Sequence, residues 1–336
     1  MKYLSVCSGI EAATVAWHSL GWSPVAFSEI EKFPSSVLAH HYPDVPNLGD
    51  MTKHESWPDE PIDILVGGTP CQSFSVAGLR KGLADPRGNL ALTYLAIAAS
   101  RRAEWVVWEN VPGVLSSNGG RDFGSFLGAL GQLGYGFAYR VLDAQYFGVA
   151  QRRRRVFVVG CAGSWRRAAA VLFERESLSG DSAPSREAGQ DIAQCLTTGT
   201  GKRYDPETET LPVAFGVGAA PDLAHCLRSG ASKADEHEST TYINVPAIAG
   251  TMKACKDSGG FSNSADHAAA GYMIPQAGSV RRLTPRECER LQGFPDDYTL
   301  TPYRGKPAAD GPRYKALGNS MAVPVMRWIG QRIAAA

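Results

Sequence analysis

The segment Ile62-Asp63-Ile64-Leu65-Val66-Gly67-Gly68-Thr69-Pro70-Cys71-Gln72 is the most informative part of this chain. Its first five residues have the apolar composition of a buried β-strand, and the glycines and proline that follow end that strand. The cysteine therefore comes just after the carboxyl end of a strand, which is the edge of an open α/β sheet where ligands bind. The segment predicts a parallel sheet with a candidate nucleophile, Cys71, at its functional edge.

Strand and helix patterns alternate on both sides of this segment. The sequence predicts strands over 3–7, 24–28, 62–66, 105–109, 135–143 and 155–161, and helices over 12–20, 33–41, 90–102 and 123–133. Such alternation is typical of the α/β class, in which a doubly wound, mostly parallel sheet carries helices on both faces.

The amino-acid composition of the chain changes after Cys161. From about residue 163 to 279 the sequence is rich in Gly, Ser, Thr, Ala and Asp and lacks long periodic helices, which predicts a smaller, loop-rich module. Regular structure resumes at Thr284, Pro285 and Glu287, whose pattern predicts a capped helix start. We therefore expect a discontinuous large domain over 1–163 and 316–336, and a second domain over 164–315.

Composition limits the class of protein but does not identify it. The 336 residues are 44% hydrophobic, and 34 basic against 33 acidic residues give a net charge of +1. A surface for nucleic acid would therefore depend on a local cluster, such as Arg152 to Arg155, and not on a basic chain.

Seven cysteines are dispersed and never form a CxxC pair, which disfavours a disulfide scaffold and a zinc site. The sequence contains no apolar run near the roughly 20 residues of a membrane span, and its first residues lack the apolar core of a signal peptide. These features predict a cytoplasmic protein without a metal or a membrane partner.

The run from Gly67 to Ser75, followed by Trp108-Glu109-Asn110-Val111 after another apolar strand, resembles the catalytic motifs of the DNA (cytosine-5) methyltransferases. An arginine run after Gln151, then Leu283-Thr284-Pro285-Arg286-Glu287 and Gly318-Asn319-Ser320-Met321, follow in the family's order. The resemblance covers residues 1 to about 162 and 281 to 336. It implies a Rossmann-like, S-adenosylmethionine-dependent domain with a target-recognition domain between its two parts, and methylation of carbon 5 of cytosine in double-stranded DNA.

The chemistry of this reaction explains the residue types. Carbon 5 of cytosine attacks a methyl sulfonium only after a thiolate has added to carbon 6, and Cys71 would supply that thiolate. The resemblance places Glu109 at the cytosine N3 and exocyclic amine, and Arg153 and Arg155 beside the same base. Because a paired cytosine is out of reach, the base must flip out of the duplex, and the loop over 72–89 is expected to close over it.

The resemblance also implies a set of cofactor contacts. The first strand-to-helix turn, Cys7-Ser8-Gly9-Ile10, departs from the family's usual pattern, which has an acidic residue and a Phe before the glycine and further glycines after it. Here Ser5, Cys7 and Glu11-Ala12 stand at those places. Glu29 is expected at the ribose hydroxyls and Asp50-Met51 at the adenine. The expected cofactor set is Cys7, Ser8, Gly9, Ile10, Glu29, Ile30, Asp50, Met51, Thr69, Leu90, Asn319 and Ser320.

Two alternatives remain open at this point: a cytosine-5 tRNA methyltransferase on the same scaffold, and a catalytically silent DNA-binding relative. An amino-group methyltransferase is disfavoured, because that chemistry uses an Asn/Asp-Pro-Pro-aromatic turn where this chain has Thr69-Pro70-Cys71-Gln72. We expect a monomer of bacterial or phage origin, in a restriction-modification system or acting alone. The sequence does not predict the DNA target.

Overall fold

The computed structural model describes residues 1–70, 90–174 and 283–336 with their side chains, together with the backbone of four short strands between 214 and 282. Cys71, the loop over 72–89 and most of the predicted second domain lie outside the described residues.

A six-stranded sheet forms the centre of the described chain, in the order β2-β1-β3-β4-β6-β5. The first four strands in this order are parallel, whereas β6 runs antiparallel to both of its neighbours. This arrangement confirms the predicted mostly parallel α/β sheet. Its strands are β1 (Lys2–Val6), β2 (Ser23–Ser28), β3 (Ile64–Gly67), β4 (Trp105–Asn110), β5 (Tyr135–Asp143) and β6 (Arg154–Ala162).

Eight described α-helices accompany the sheet, and each helix predicted in the first half is present within a few residues of its expected bounds. They are α1 (Ala12–Trp17), α2 (Lys32–His41), α3 (Leu90–Arg101), α4 (Arg121–Gln132), α5 (Trp165–Leu172), α6 (Pro285–Gln292), α7 (Asp310–Asn319) and α8 (Val323–Ala335). Short 3-10 turns lie at His18–Leu20, Met51–Ser56, Pro112–Leu115, Ser117–Gly120 and Ala144–Phe147. None of the described helices reaches the length and apolarity that a membrane crossing would need.

Both faces of the sheet are buried, which explains why its strands read as nearly continuous apolar runs. Along β4, Trp105 and Val107 pack into the core on one face, and Val106 and Trp108 pack into the core on the other. The alternation sends the side chain of Glu109, the next residue, to the first of these two faces, at the carboxyl end of the strand.

Small strands complete the described backbone: β7 (Ala214–Gly216) pairs with β8 (Thr241–Ile243), β9 (Met273–Gln276) with β10 (Ser279–Arg282), and β11 (Pro302–Tyr303) with β12 (Lys306–Pro307), all antiparallel. At the start of α6, the Thr284 side chain caps the Glu287 N–H and the Glu287 carboxylate accepts from the Thr284 N–H. This geometry confirms the predicted capping box.

The C-terminal segment packs against the first half of the chain. Trp17 Nε1 donates to the Met326 carbonyl at 2.7 Å, and the Tyr298 hydroxyl donates to the Ile10 carbonyl at 2.9 Å. Helix α5 packs on β5 and β6. Two parts of the expected second domain, Trp165–Leu172 and Tyr298, thus contact the first half of the chain. The expected domain division at 163/164 and 315/316 stays a prediction.

Candidate active site

A cleft of about 850 Å³ opens at the carboxyl ends of the parallel strands. This is the edge at which open α/β sheets bind ligands, and the volume is within the range of small-molecule sites. The cleft brings together most of the residues predicted from the sequence. Those that line it are Cys7, Gly9, Glu29, Ile30, Asp50, Met51, Thr69, Leu90, Glu109, Arg153, Arg155 and Asn319.

Glu109 and Arg155 form an ion pair in this cleft, with Arg155 Nε 3.0 Å from Glu109 Oε1. Their side chains are only 12% and 13% exposed. Burial raises the pKa of Glu109, and the neighbouring Arg155 and Arg153 guanidinium groups oppose that rise. The carboxyl group is thus held in place by a cation while its surroundings favour the protonated form.

The pairing of β4 with β6 explains why these two side chains meet. Glu109 stands opposite Phe157 in the antiparallel ladder, so Arg155 is its diagonal neighbour two residues along β6. Diagonal neighbours on one face lie within reach of long side chains. The alternation predicted for the arginine run is present: Arg153 and Arg155 turn toward the site, and Arg154 is exposed.

Gly68 lets the end of β3 approach Glu109. A Cβ atom at this position would lie 2.8 Å from Glu109 Oε2 and 3.3 Å from the Met321 methyl group. The carboxyl group therefore lies directly against the backbone that leads into Thr69 and Pro70, both of which line the cleft. Cys71 is the next residue along the chain and lies outside the described residues.

Hydrogen bonds hold the end of β3 against β4. Asn110 Nδ2 donates to the Thr69 carbonyl at 2.9 Å, and Trp108 Nε1 donates to Thr69 Oγ1 at 3.0 Å. Both interactions are buried, where an unmade hydrogen bond is costly. The Trp108-Glu109-Asn110 motif thus fixes the position of the chain two residues before Cys71.

Arg153 connects the site to the C-terminal segment. Its side chain is almost wholly buried, and its guanidinium group donates to the carbonyl oxygens of Gly318, at 3.1 Å, and of Ser320. These contacts hold the Gly318-Asn319-Ser320 segment so that Asn319 lines the cleft. Its contacts show that Arg153 joins two distant parts of the chain, and its expected position beside the base stays a prediction.

A second set of polar groups in the cleft fits the adenosine part of a nucleotide-like cofactor. Glu29 Oε2 accepts from the Gly9 N–H at 2.8 Å and Oε1 accepts from the Glu31 N–H at 2.7 Å. The Ile30 N–H also interacts with this carboxylate, which has about four acceptor sites in all. Asp50 Oδ1 caps the following turn by accepting from the Thr52 N–H at 3.0 Å. A Cβ atom on Gly9 would meet nothing within 4 Å, which shows open space at this point of the turn.

The apolar part of the same wall contains two sulfur atoms. Cys7 Sγ lies 3.4 Å from Met51 Sδ. Burial, together with the charge of Glu29, raises the pKa of the Cys7 thiol to about 12, so this thiol stays neutral. Leu90 and the exposed Ile30 extend this apolar surface. The cleft thus offers carboxylates to the hydroxyl groups of a ribose and apolar side chains to the face of a base.

Three residues of the expected cofactor set do not line the cleft. The Ile10 side chain is fully buried in the core, and Ser8 Oγ instead joins β1 to β2 by bonding to the Ser5 carbonyl and the Ser28 N–H. The Ser320 side chain is buried, and its hydroxyl donates to the Met321 carbonyl.

The structure adds residues that the sequence interpretation missed. Phe33 and Tyr303 line the cleft and form an edge-to-face pair with ring centroids 5.2 Å apart. Phe33 follows the predicted ribose contact by four residues, at the start of α2, which was the available signal. Tyr303 lies in a two-stranded turn between α6 and α7, and no motif marks it.

Comparison with known proteins places these motifs in one family. Residues 1–335 match the family model of C-5 cytosine-specific DNA methylases. The chain is 39% identical to the DNA N-6-adenine-methyltransferase of Escherichia phage P1, a match that covers 98% of this chain but only 61% of that protein. It is 29% identical to the Type II methyltransferase M.SsoII of Shigella sonnei over 99% of this chain and 79% of that protein.

The fold also resembles that of a solved structure. The S. pombe Dnmt2 methyltransferase superposes with a TM-score of 0.62 at 17% identity, covering 100% of this chain and 99% of the other. At this identity the likeness concerns the fold alone.

Proposed function

The chain belongs to the C-5 cytosine-specific DNA methylase family, and from this membership we propose that it transfers a methyl group from S-adenosylmethionine to carbon 5 of a flipped-out cytosine in a specific double-stranded DNA sequence. The observation that carries the proposal is the Glu109–Arg155 pair in the cleft, against the backbone that leads to Cys71. A buried carboxyl group, a guanidinium group and a cysteine are the groups that this chemistry requires.

The proposed reaction assigns one task to each residue. Cys71 adds through its thiolate to carbon 6 of the cytosine, which makes carbon 5 nucleophilic. The Glu109 carboxyl group holds a proton at N3 and so stabilises the electron density that the thiolate pushes into the ring. Carbon 5 then forms a bond to the methyl group of the sulfonium, whose bonding electrons stay on sulfur as a neutral thioether. Loss of the carbon 5 proton to water and release of Cys71 as the thiolate restore the aromatic ring.

Arg155 has two tasks in this scheme. It orients Glu109 through the ion pair at 3.0 Å, and its Nη1 donates to the Arg154 carbonyl at 2.8 Å. We assign its Nη2 to the carbonyl oxygen of the base. We assign Arg153 to a neighbouring position at the base. Its contacts with the Gly318 and Ser320 carbonyls hold the segment that contains Asn319, which lines the cofactor cleft.

S-adenosylmethionine, when bound, supplies an electrophilic methyl group on a positively charged sulfur. We assign Glu29 to its ribose hydroxyls, Asp50 and Met51 to its adenine, and Cys7, Gly9 and Asn319 to the rest of the molecule. The two carboxylates and the adjoining apolar wall support this assignment, since they pair hydroxyl acceptors with soft contacts.

DNA is the substrate of the family, and we propose that base recognition resides within 164–315 and that Arg152 and Arg154 contact phosphates. We further propose that the protein acts as a monomer in the cytoplasm of a bacterial or phage-infected cell. The dispersed cysteines support a reducing compartment. Size-exclusion chromatography with light scattering, with and without duplex, tests the oligomeric state.

A single assay tests the proposed reaction against its alternatives. Purified protein is incubated with S-adenosylmethionine carrying a labelled methyl group and with duplex DNA or bulk tRNA, and the products are digested to nucleosides. We expect labelled 5-methylcytosine from the duplex alone. Label in tRNA would favour the RNA alternative, no label would favour a silent relative, and labelled N6-methyladenine would assign to this chain the activity named for the phage P1 protein.

Two further measurements locate the chemistry. In the presence of S-adenosylmethionine, wild-type protein should form a covalent adduct with a duplex that contains 5-fluorocytosine, because the methylated carbon 5 then carries fluorine and has no proton to lose. Cys71→Ser should bind the duplex yet form neither adduct nor product, and full turnover by this variant would refute the mechanism. Bisulfite sequencing of DNA from cells that express the chain would then give the target sequence.

A further inference from the structure

Glu11 is a buried carboxylate that the proposed reaction does not use. Its side chain is 1% exposed and follows Gly9 of the cleft by two residues. Among the described residues, no Lys, Arg or His side chain forms an ion pair with it. A buried charge without an opposite charge is costly, so its presence needs an explanation.

The hydrogen bonds around Glu11 favour its ionised form. One carboxylate oxygen accepts from Ser5 Oγ, and the other accepts from the Thr14 N–H, at 3.1 Å, and from Thr14 Oγ1. The Tyr3 hydroxyl donates to Thr14 Oγ1 at 2.8 Å, which turns the Thr14 proton toward Glu11. Three donors thus point at one carboxylate. Burial raises the pKa of Glu11, and these hydrogen bonds oppose that rise by stabilising the charged form.

The backbone adds a second sign that this position is under constraint. Cys7, Gly9 and Glu11 all have positive φ angles, of 50°, 56° and 63°. A left-handed conformation is unfavourable for a residue with a side chain, and glycine would remove that cost. A serine or threonine at the cap would also bond the Thr14 N–H without burying a charge. Capping of α1 alone therefore does not account for a glutamate here.

The location of the charge suggests what it acts on. Glu11 ends the turn whose Cys7 and Gly9 line the cofactor cleft, and the charge of Glu29 adds to burial in raising the pKa of Glu11. The wall of the cleft thus carries three carboxyl groups on this side, those of Glu29 and Asp50 in the lining and that of Glu11 behind the turn. Burial raises the pKa of Glu29 as well, and a cation in the cleft would favour the ionised form of these groups. A positively charged ligand group is the complement of such a wall.

We propose that Glu11 is a positioning residue whose buried carboxyl group, held by three donors, makes the cleft prefer the cationic methyl donor over the neutral product. The inference depends on the proposed function, because it assigns S-adenosylmethionine to this cleft. The donor carries a sulfonium charge, and S-adenosylhomocysteine is the same molecule with a neutral thioether. Glu11 acts through the field behind the turn and through the shape that its bonds to Ser5 and Thr14 give to residues 7–11.

Isothermal titration calorimetry of both compounds tests this proposal. Glu11→Gln removes the charge and keeps the size, and we expect its affinity for S-adenosylmethionine to fall about tenfold more than its affinity for S-adenosylhomocysteine. Glu11→Gly, which suits the positive φ, should show the same change in the ratio and serves if the glutamine variant does not fold. Ser5→Ala is the matched control, because it removes one hydrogen bond and keeps the charge, so the ratio should stay at the wild-type value.

The outcomes separate the inference from the function that it depends on. Equal losses for both compounds, or no loss for either, in the Glu11 variants would overturn the electrostatic role. A change in the ratio in Ser5→Ala as large as that in Glu11→Gln would do the same, since it would assign the effect to shape. A wild-type protein that binds neither compound would instead refute the proposed function.

Discussion

Arg155 Nε lies 3.0 Å from Glu109 Oε1, across two antiparallel strands whose ends meet in the cleft. The ion pair favours the charged carboxylate, whereas burial favours the neutral acid, and burial is the larger of the two effects on the pKa of Glu109. A carboxyl group in this balance keeps its proton to a higher pH than a solvated glutamate does.

Glu109→Gln should lower the rate of methyl transfer by about 10²–10⁴-fold, the usual contribution of a positioned proton donor. The amide has the same shape but cannot deliver a proton to N3 as the acid does. Single-turnover methylation of a labelled duplex measures the loss. Glu104→Gln, which alters an exposed ion pair with Arg167 just before β4, is the control and should keep wild-type activity. A Glu109→Gln variant within threefold of wild type would contradict the assigned role.

The same substitution predicts a pH-dependent difference in stability. Because the pKa of Glu109 is raised above its ordinary value of 4.5, folding favours its protonated form, and that stabilisation is lost as the pH rises through the folded-state pKa. Each unit of elevation corresponds to about 1.4 kcal/mol. Glu109→Gln should therefore match wild type below about pH 4.5 and become the more stable protein toward pH 8, as denaturant unfolding at several pH values can measure. A glutamine variant less stable at pH 8 would show that the Arg155 pair outweighs burial.

Gly68→Ala should reduce activity with little loss of stability. The added Cβ would lie 2.8 Å from Glu109 Oε2, and the carboxyl group, at the end of a flexible side chain, can move away. A displacement of about 1 Å can cost on the order of 100-fold in rate. Gly128→Ala in α4 is the matched control, because a Cβ there meets nothing within 4 Å and alanine stabilises a helix interior by about 0.5–1 kcal/mol. Equal activities of the two alanine variants would rule out the close fit of Gly68.

Local sequence signals predicted much of this site. The strand that ends before Gly68, the alternation of the arginine run and the Thr284 capping box depend on neighbouring residues, and each is present in the structure. The order of strands and helices predicts which strand ends lie at the same edge of the sheet. Most of the expected cofactor residues follow such strand ends and line one cleft.

The missed features depend on conformations and contacts that the sequence pattern does not encode. The positive φ of Glu11, a residue that rarely adopts it, turns the carboxylate back toward Ser5, and the same turn sends Ile10 into the core. Tyr303 reaches Phe33 through tertiary packing across more than 250 residues, for which no short-range signal exists.

Arg153 and Arg155 should differ when each is replaced by methionine. Arg153→Met removes the donors of the Gly318 and Ser320 carbonyls, and each buried acceptor left unsatisfied costs about 1–3 kcal/mol. We therefore expect a loss of about 3 kcal/mol in the free energy of unfolding and weaker cofactor binding through the displaced Asn319. Arg155 is paired with a carboxyl group that can take up a proton, so Arg155→Met should cost less than about 1 kcal/mol. Denaturant unfolding and calorimetric binding of S-adenosylhomocysteine measure these effects.

The activity of Arg155→Met separates the two arginines further. Removing its guanidinium group deletes the main charge that opposes protonation of Glu109, so the pKa of Glu109 should rise further. The proposed methyl transfer needs the protonated form of Glu109, so its rate falls as the pH rises through this pKa. In Arg155→Met this fall should begin at a higher pH, and the maximal rate should be lower than in wild type. Single-turnover rates across the pH range measure the profile. If Arg155→Met destabilised the protein as much as Arg153→Met and left the pH profile unchanged, Arg155 would be a structural residue and not the partner of Glu109 in the reaction.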